Sequence, residues 1–406
     1  GGINGVHSVM KTQLSDCGNT GNIVMNGGLS GTVFMGGITG SVYRAANSNS
    51  IYSNCTNAGR IALYDASSTN EVAAGGIIGN ASGIKDKAMT LRVENCSNAG
   101  AIDRLTTKNS NSCNSYAGGI IGVVGRRHQT TKEGYVTVAL KDCANSADII
   151  FNQFTGFDTF SEQNQNYSFT GGIIGCSLAE NGAVEVVCCS NSGNMLSTSG
   201  QHAGIVGFAH SSTAVKGQRK SDGTVQYTVN TGNICELPSS STGSSYCIAG
   251  GIVGYMKSHA TKINTIEYAC NSGNVSASFS SDEESSAGGI VGKHQSTAVV
   301  RYCKNSGKVS NVKDKHCGAI SGGNMNKTVE YCGVGGQVLR SSGWIILDDG
   351  GTYPWQNYIY RNDILLASDG STLPDYPSDL YYNGCCFWDG KSELPWEKSD
   401  WVEPEE

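Results

Sequence analysis

The sequence predicts an all-β fold: a right-handed parallel β-helix (β-solenoid) of about nine coils, with three short strands per coil and a C-terminal capping segment. Three observations predict it: a recurrent Gly-x-Ile-x-Gly box, a second box of the form Cys-x-Asn-x-Gly, and two apolar columns in step with both. Elements that recur every 20 to 50 residues or so are typical of solenoids. Right-handedness is expected because parallel crossovers are overwhelmingly right-handed.

The first box has isoleucine at its centre in all nine copies. Successive boxes begin 30 to 53 residues apart, so a constant core carries loops of variable length. With 55 glycines in 406 residues, helices are disfavoured, because each glycine inside a helix costs about 1 kcal/mol relative to alanine. The nine central residues are Ile3, Ile38, Ile77, Ile120, Ile173, Ile205, Ile252, Ile290 and Ile320.

The second box keeps its asparagine in eight of nine copies, with Val334 in the ninth. Asparagine and glycine tolerate left-handed backbone angles, so this box predicts a corner between strands. Stacked asparagine side chains would pair amide to amide along the rod. The eight are Asn19, Asn57, Asn98, Asn145, Asn191, Asn230, Asn271 and Asn305.

Two apolar columns accompany the boxes. One lies three residues before the second box: Leu14, Tyr52, Val93, Leu140, Val186, Val225, Ile266, Val300 and Val329. The other lies six residues after its start: Ile23, Ile61, Ile102, Ile149, Met195, Ile234, Val275, Val309 and Val338. One coil cannot bury its own three apolar residues, whereas stacked coils bury them continuously.

Two further columns lie at the second box. Cysteine begins most of its copies, and we expect these to be buried free thiols, because parallel side-chain vectors fit disulfide geometry poorly. The residue before the box is tyrosine in the last four copies: Tyr227, Tyr268, Tyr302 and Tyr331. These rings are expected to stack as a ladder, either buried at the corner or offered to a flat ligand, and structural stacking is favoured.

At the boxes the chain resembles the GLUG-repeat family of bacterial surface and secreted proteins, whose core is Gly-apolar-apolar-Gly, as in residues 76–79 and 251–254. The resemblance covers about residues 1–340. It implies an extracellular or cell-surface location and an accessory or adhesive role. Some members are attached to zinc metallopeptidases, but this chain has no His-Glu-x-x-His motif. The resemblance therefore supplies no catalytic residue.

The composition changes near residue 340 and predicts a boundary between repeats at 1–339 and an acidic cap at 340–406. All five tryptophans and five of six prolines follow this point. Capping is the default role because an open solenoid end needs cover. As an alternative, the aromatic residues form a platform for sugar or protein. Its expected members are Trp344, Tyr353, Trp355 and Tyr358.

The longest insertion, from Phe151 to Phe169, places aromatic rings among polar residues. Loops longer than about 15 residues are usually functional or disordered. The rings would be costly to leave in water, so the insertion folds back on the rod or binds a ligand. The predicted ligand-binding residues are Phe154, Phe157, Phe160 and Tyr167.

Composition narrows the function. A net charge of −6 argues against nucleic acid as a partner, and no apolar stretch approaches the roughly 20 residues of a membrane-spanning helix. We predict no catalytic residues, metal or cofactor, and expect the chain to belong to a longer polypeptide. The predicted function is adhesion or interaction with a host or dietary glycan or an extracellular protein. A carbohydrate-active lyase or hydrolase and a structural spacer or fibre subunit are the alternatives.

Overall fold

The computed structural model describes most of the repeat region and selected parts of the remainder. The described residues are 2, 4–7, 11–26, 31–44, 48–64, 69–83, 88–105, 114–125, 135–151, 168–178, 182–197, 200–210, 212–236, 247–257, 262–277, 285–295, 298–311, 317–323, 329–335, 338–339, 358–361, 364–367, 386–388, 391–398 and 401.

Five parallel sheets run along the repeats, and each repeat passes through them in a fixed order. The predicted stacking of parallel strands is confirmed. Three strands per coil is an undercount, because the described residues of the repeats form five parallel sheets. The two additional sheets lie at the corner of the second box, where strands span only two or three residues, and directly before the first box. We call them sheets 1 to 5 in the order in which the chain visits them after the first box.

Sheet 1 consists of Asn4–His7, Thr39–Arg44, Ile78–Gly83, Ile121–Val124, Ile174–Ser177, Val206–His210, Val253–Lys257 and Val291–Gln295. Sheet 2 consists of Lys11–Ser15, Ser48–Ser53, Met89–Glu94, Val136–Lys141, Ala183–Val187, Thr213–Lys216, Asn264–Glu267, Ala298–Arg301 and Val329–Glu330. Sheet 3 consists of Gly18–Asn19, Thr56–Asn57, Ser97–Asn98, Ala144–Asn145, Ser190–Asn191, Thr228–Asn230, Ala269–Asn271, Lys304–Asn305, Gly333–Val334 and Cys386–Phe387.

Sheet 4 consists of Ile23–Asn26, Ile61–Tyr64, Ile102–Leu105, Ile149–Phe151, Met195–Ser197, Ile234–Glu236, Val275–Ala277, Val309–Asn311 and Val338–Leu339. Sheet 5 consists of Gly31–Gly36, Thr69–Gly75, Asn114–Gly118, Ser168–Gly171, Gly200–Ala203, Cys247–Gly250, Ser286–Gly288 and Cys317–Gly318. Two antiparallel pairs are also described: Gln218–Arg219 with Val225–Gln226, and Tyr358–Arg361 with Ile364–Ala367. A short 3₁₀ helix spans Pro395–Glu397. Within the described residues, no helix has the length and apolarity needed to cross a membrane.

The register confirms the sequence alignment of the repeats, with one exception. All eight box asparagines are aligned in sheet 3, and the apolar column of sheet 4 is aligned from Ile23 to Val338. In sheet 2 the prediction of Val225 is wrong. Val215 stands between Val186 and Ile266 instead. Val225 belongs to a hairpin inserted between sheets 2 and 3 in that repeat.

The interior is divided into two apolar cores. One core lies between sheets 1 and 2 and contains the box isoleucines from Ile38 to Ile320, each with no exposed surface. The other lies between sheets 4 and 5 and contains the sheet 4 column, such as Ile102 and Ile149. Burial of one isoleucine or valine side chain contributes about 1.5–3 kcal/mol, so the stack rests mainly on these columns.

The asparagine of the second box lies against the residue that precedes the isoleucine of the first box, which is glycine in eight of nine copies. A Cβ placed on Gly119 would lie 2.4 Å from Cγ of Asn145 and 2.1 Å from the carbonyl oxygen of Gly172. The same contact recurs between Gly76 and Asn98. Because no side chain fits between box and corner, glycine is required there, and the contact separates the two cores.

Candidate functional site

The corner before sheet 3 holds its residue in a left-handed backbone conformation in eight repeats. The φ angles lie between 48° and 57°. The early repeats use mostly asparagine and aspartate, which adopt this region most readily. The last three repeats use Tyr268, Tyr302 and Tyr331. The eight residues are Asp16, Asn54, Asn95, Asp142, Cys188, Tyr268, Tyr302 and Tyr331.

The tyrosines at this corner form a stacked series, as predicted. Ring centroids of Tyr268 and Tyr302 are 4.9 Å apart, and those of Tyr302 and Tyr331 are 5.4 Å apart. Tyr227, in the repeat with the hairpin, meets Tyr268 edge-on at 6.5 Å. We call Tyr227, Tyr268, Tyr302 and Tyr331 the tyrosine ladder. A left-handed conformation costs a bulky L-residue about 1–2 kcal/mol, so the ladder carries backbone strain that asparagine at the same corner largely avoids.

The ladder is covered by a segment from the C-terminal part of the chain. Trp388, Leu394, Trp396 and Trp401 pack against it in one apolar cluster. The Trp396 side chain is fully buried, with its ring 6.1 Å from that of Tyr302. We call residues 386–388, 391–398 and 401 the docked segment. The ladder rings therefore contact this segment as well as one another.

Glu397 anchors the docked segment electrostatically. Its Oε1 accepts hydrogen bonds from Lys304 Nζ at 2.7 Å and Tyr227 Oη at 2.8 Å, and its Oε2 accepts one from Leu394 N at 2.7 Å. Both side chains of the Lys304–Glu397 pair are largely buried. Burial, together with the adjacent Glu397 carboxylate, raises the pKa of Tyr227. Tyr227 is therefore a neutral donor at physiological pH.

Lys304 also lies over two aromatic rings. Its Nζ is 4.3 Å from the ring centroid of Tyr227 and 4.7 Å from that of Trp388. A cation within about 6 Å of an aromatic face is attracted by the ring quadrupole. Lys304 thus contributes both an ion pair and cation–π contacts to the same segment.

The hairpin that contains Val225 also contains Arg219, a second cation that contacts the docked segment. Arg219 donates hydrogen bonds from Nη1 to the carbonyl oxygen of Trp396 at 2.8 Å and from Nη2 to that of Lys398 at 2.7 Å. Its guanidinium also lies 5.3 Å from the ring centroid of Trp401. Two main-chain contacts of this kind fix the path of the segment, whereas the ladder and Lys304 select its side chains.

The docked segment also extends a sheet. Cys386–Phe387 pairs in parallel with Gly333–Val334, which places it at one end of sheet 3. The Trp388 N–H donates to the carbonyl oxygen of Val334 at 2.8 Å. Strand addition together with side-chain pockets is a recurrent mode of peptide recognition. The arrangement is chemically suited to hold a peptide that carries tryptophan and glutamate.

Most of the predicted ligand-binding residues lie outside the described residues: Phe154, Phe157, Phe160, Tyr167, Trp344, Tyr353 and Trp355. Tyr358 lies in the antiparallel pair with Ile364–Ala367. The two ends of the long insertion are core residues. Phe151 is buried between sheets 4 and 5, and Phe169 is buried in a separate aromatic cluster.

That separate cluster lies between sheets 5 and 1, on the faces turned away from the two main cores. The Tyr116 and Phe169 rings stack with centroids 5.5 Å apart, and Phe169 continues to Phe208 at 5.2 Å. Phe208 then meets Tyr255 at 5.5 Å. The four side chains are at most 7% exposed. Their burial assigns them to packing.

The box cysteines are mostly buried, as predicted, and six of them are free thiols: Cys17, Cys55, Cys96, Cys143, Cys189 and Cys303. The single thiol proton of Cys96 has two main-chain acceptors within reach, the carbonyl oxygens of Glu94 at 3.4 Å and of Tyr52 at 3.7 Å. The hydrogen bond with the Cys143 thiol, with burial, raises the pKa of Cys96 to about 12. The pKa values of Cys55 and Cys143 on either side are raised as well. A nucleophilic cysteine needs a lowered pKa, so these three thiols are structural. In the described part of the chain, no group of three metal-ligating side chains occurs.

The sequence predicts the tyrosine ladder but not the contacts of Arg219, Lys304 and Glu397 at the docked segment. The available signal was the change from asparagine or aspartate to tyrosine at the corner, in the same repeats that precede the tryptophan-rich region. Comparison of the chain with protein-family models, with curated proteins and with solved structures gives no match in any of the three. The geometry of the corner therefore carries the functional argument.

Proposed function

We propose that the chain is a non-catalytic interaction module of a secreted or surface-attached bacterial protein, of the GLUG-repeat kind. Its repeats are proposed to form nine coils of a right-handed solenoid, with residues 340–406 as the cap. Handedness follows from the strong preference of parallel crossovers. The docked segment supports the cap assignment because it extends sheet 3 and covers the ladder of the last repeats.

One observation carries the proposal: the outer corner of the rod holds a tryptophan- and glutamate-bearing peptide through aromatic, ionic and main-chain contacts. Aromatic residues and arginine are enriched where proteins recognise one another. The site therefore favours an extracellular protein over a glycan as the ligand class.

The test is an array of host glycans, plant and microbial polysaccharides and matrix proteins, probed with the intact chain. Three full-length variants locate the binding face: Lys304→Glu at the tyrosine ladder, Phe154→Ser with Phe157→Ser and Phe160→Ser in the long insertion, and Trp344→Ser with Trp355→Ser after the repeats. Retention of a protein or glycan by the intact chain is the expected result. If the folded chain retains nothing, the proposal fails and a spacer or fibre subunit takes its place.

The catalytic alternative is tested on the same polysaccharides. A hydrolase would release new reducing ends, and a lyase would release unsaturated uronates that absorb in the ultraviolet. We expect neither product above the level of a boiled sample. Product formation would overturn the non-catalytic assignment.

A further inference from the structure

We propose that the tyrosine ladder is a self-association surface, on which the docked segment of a second copy of this chain takes the place of the resident segment. The resulting assembly is a dimer that exchanges C-terminal segments reciprocally. This proposal goes beyond the proposed function because it requires no foreign ligand.

The contacts that hold the segment do not depend on chain connectivity. Glu397 meets Lys304 and Tyr227, and Arg219 meets two carbonyl oxygens of the segment. These partners lie 93 to 179 residues from the segment along the chain. An identical segment from another copy would make the same contacts.

The connection to the rod permits exchange. Between Leu339 of sheet 4 and Cys386 lie the 46 residues from 340 to 385. The antiparallel pair within residues 358–367 shortens this connection, and its other 36 residues span at most about 130 Å, whereas four repeats at strand spacing extend only about 20 Å. The length of the connection alone therefore allows the segment to reach the ladder of a neighbouring copy. Exchange of an identical element is a low-cost route to a dimer.

The ladder is also built for an aromatic partner. Tyr268, Tyr302 and Tyr331 retain left-handed φ angles of 48–55° where earlier repeats have asparagine or aspartate. Strained residues persist where surrounding contacts over-determine them. Those contacts here are the stacked rings and the tryptophans of the docked segment. Docking of a second copy's segment competes with docking of the chain's own segment, so exchange is favoured at high protein concentration.

The experiment uses two full-length charge reversals, Lys304→Glu and Glu397→Lys. Each variant alone faces like charges at the anchor, so its own segment is released. In a mixture, the unaltered segment of the Lys304→Glu chain meets the unaltered ladder of the Glu397→Lys chain. That site has wild-type contacts throughout, and the reciprocal site has the reversed pair.

We expect each variant to be a monomer of 42.5 kDa and the mixture to give a one-to-one complex of about twice that mass by light scattering. The control is the mixture of Lys216→Glu with Glu185→Lys. This pair is 3.5 Å apart on adjacent strands of sheet 2, cannot be exchanged, and should leave monomers only. Mixed anchor variants that stay monomeric at millimolar concentration would overturn the proposal.

A second measurement covers the case in which a charge reversal fails to fold. A labelled peptide of residues 385–402 is titrated into the full-length Trp396→Ala chain, with a Glu397→Lys peptide as the control. Saturable binding of the wild-type peptide, weakened at least tenfold by Glu397→Lys, is the expected result. Equal binding of both peptides, or none, would contradict recognition in trans.

Discussion

The Nδ2 of Asn145 donates a hydrogen bond to the Oδ1 of Asn191 in the next repeat at 2.8 Å. The same nitrogen donates to the carbonyl oxygen of Ala147 in its own corner, also at 2.8 Å. The pattern continues through sheet 3 from Asn19 to Asn305. Each interior asparagine is nearly or fully buried. This series of asparagine hydrogen bonds therefore satisfies polar groups that would otherwise be costly inside the rod.

Replacing Asn191 by alanine should destabilise the rod. The change removes the Asn191 amide group. The Nδ2 of Asn145 then loses its acceptor in the next repeat, and the carbonyl oxygen of Gly193 loses its donor. An unsatisfied buried group costs about 1–3 kcal/mol, so we expect a loss of that order or somewhat more in denaturant unfolding. Ser192→Ala at the exposed neighbouring position is the control and should change stability by less than about 0.5 kcal/mol. Equal effects of the two changes would contradict a stabilising role for the asparagine series.

Replacing Gly119 by alanine should be more damaging. The new Cβ would lie 2.1 Å from the carbonyl oxygen of Gly172 and 2.4 Å from Cγ of Asn145, and neither can move away without breaking sheet contacts. Overpacking costs about 1–3 kcal/mol and sometimes more, so we expect a loss of at least 3 kcal/mol or no folded protein. Gly21→Ala has its nearest neighbour at 3.7 Å and should fold normally. A stable Gly119→Ala chain would refute the steric argument.

The ninth repeat supports this steric coupling. There the residue before the box isoleucine is Ala319 instead of glycine, and Val334 takes the place of the box asparagine. Both are buried in the core between sheets 1 and 2. The two positions change together, which is expected if glycine is required by the asparagine that lies against it.

The sequence predicted the columns well because each recurs at a fixed offset from a box. The prediction failed at Val225. The hairpin from Gln218 to Gln226 places this valine at the expected offset from the second box by chance, whereas Val215 occupies the core position. It also missed sheet 5, because the aligned interior position changes type from repeat to repeat and gives no apolar column: Met35, Ala74, Ala117, Thr170 and His202.

The tyrosine ladder was predictable because it recurs at a fixed offset from the second box, whereas the docked segment that covers it was not. The tyrosines recur with the second box, whereas Glu397 is 93 residues from Lys304 and belongs to no repeat. Periodicity carries no information about contacts between the repeats and a non-repetitive segment. The hairpin that brings Arg219 to the segment is likewise confined to one repeat.

Replacing Tyr302 by asparagine should release the docked segment without harming the rod. The change removes the ring that contacts Trp396 and Trp401. Asparagine also adopts the left-handed conformation of this corner more readily than tyrosine, which lowers the backbone strain by about 1 kcal/mol. We expect a red shift in tryptophan emission, since all five tryptophans follow residue 340, with an unchanged far-ultraviolet circular dichroism spectrum. Tyr302→Phe keeps the ring and is the control. An unshifted spectrum in Tyr302→Asn would show that the ladder does not hold the segment.

The cysteine column should make stability fall at alkaline pH. The pKa of Cys96 is raised from the ordinary 9.0 to about 12 by its hydrogen bond with Cys143 and by burial. Because the folded state keeps the proton that the unfolded state loses, the contribution is fully present below pH 9 and is lost as pH rises towards 12. The slope is at most about 1.4 kcal/mol per pH unit for this thiol.

Denaturant unfolding at pH 8, 9 and 10 measures this slope, with Cys96→Ala as the comparison. The alanine variant is less stable at pH 8, because a buried side chain is truncated, but its stability should decline less steeply between pH 9 and 10. Tyrosine and lysine titration affects both proteins equally and cancels in the difference. Parallel pH profiles for the two proteins would mean that the Cys96 thiol titrates alike in the folded and unfolded chains.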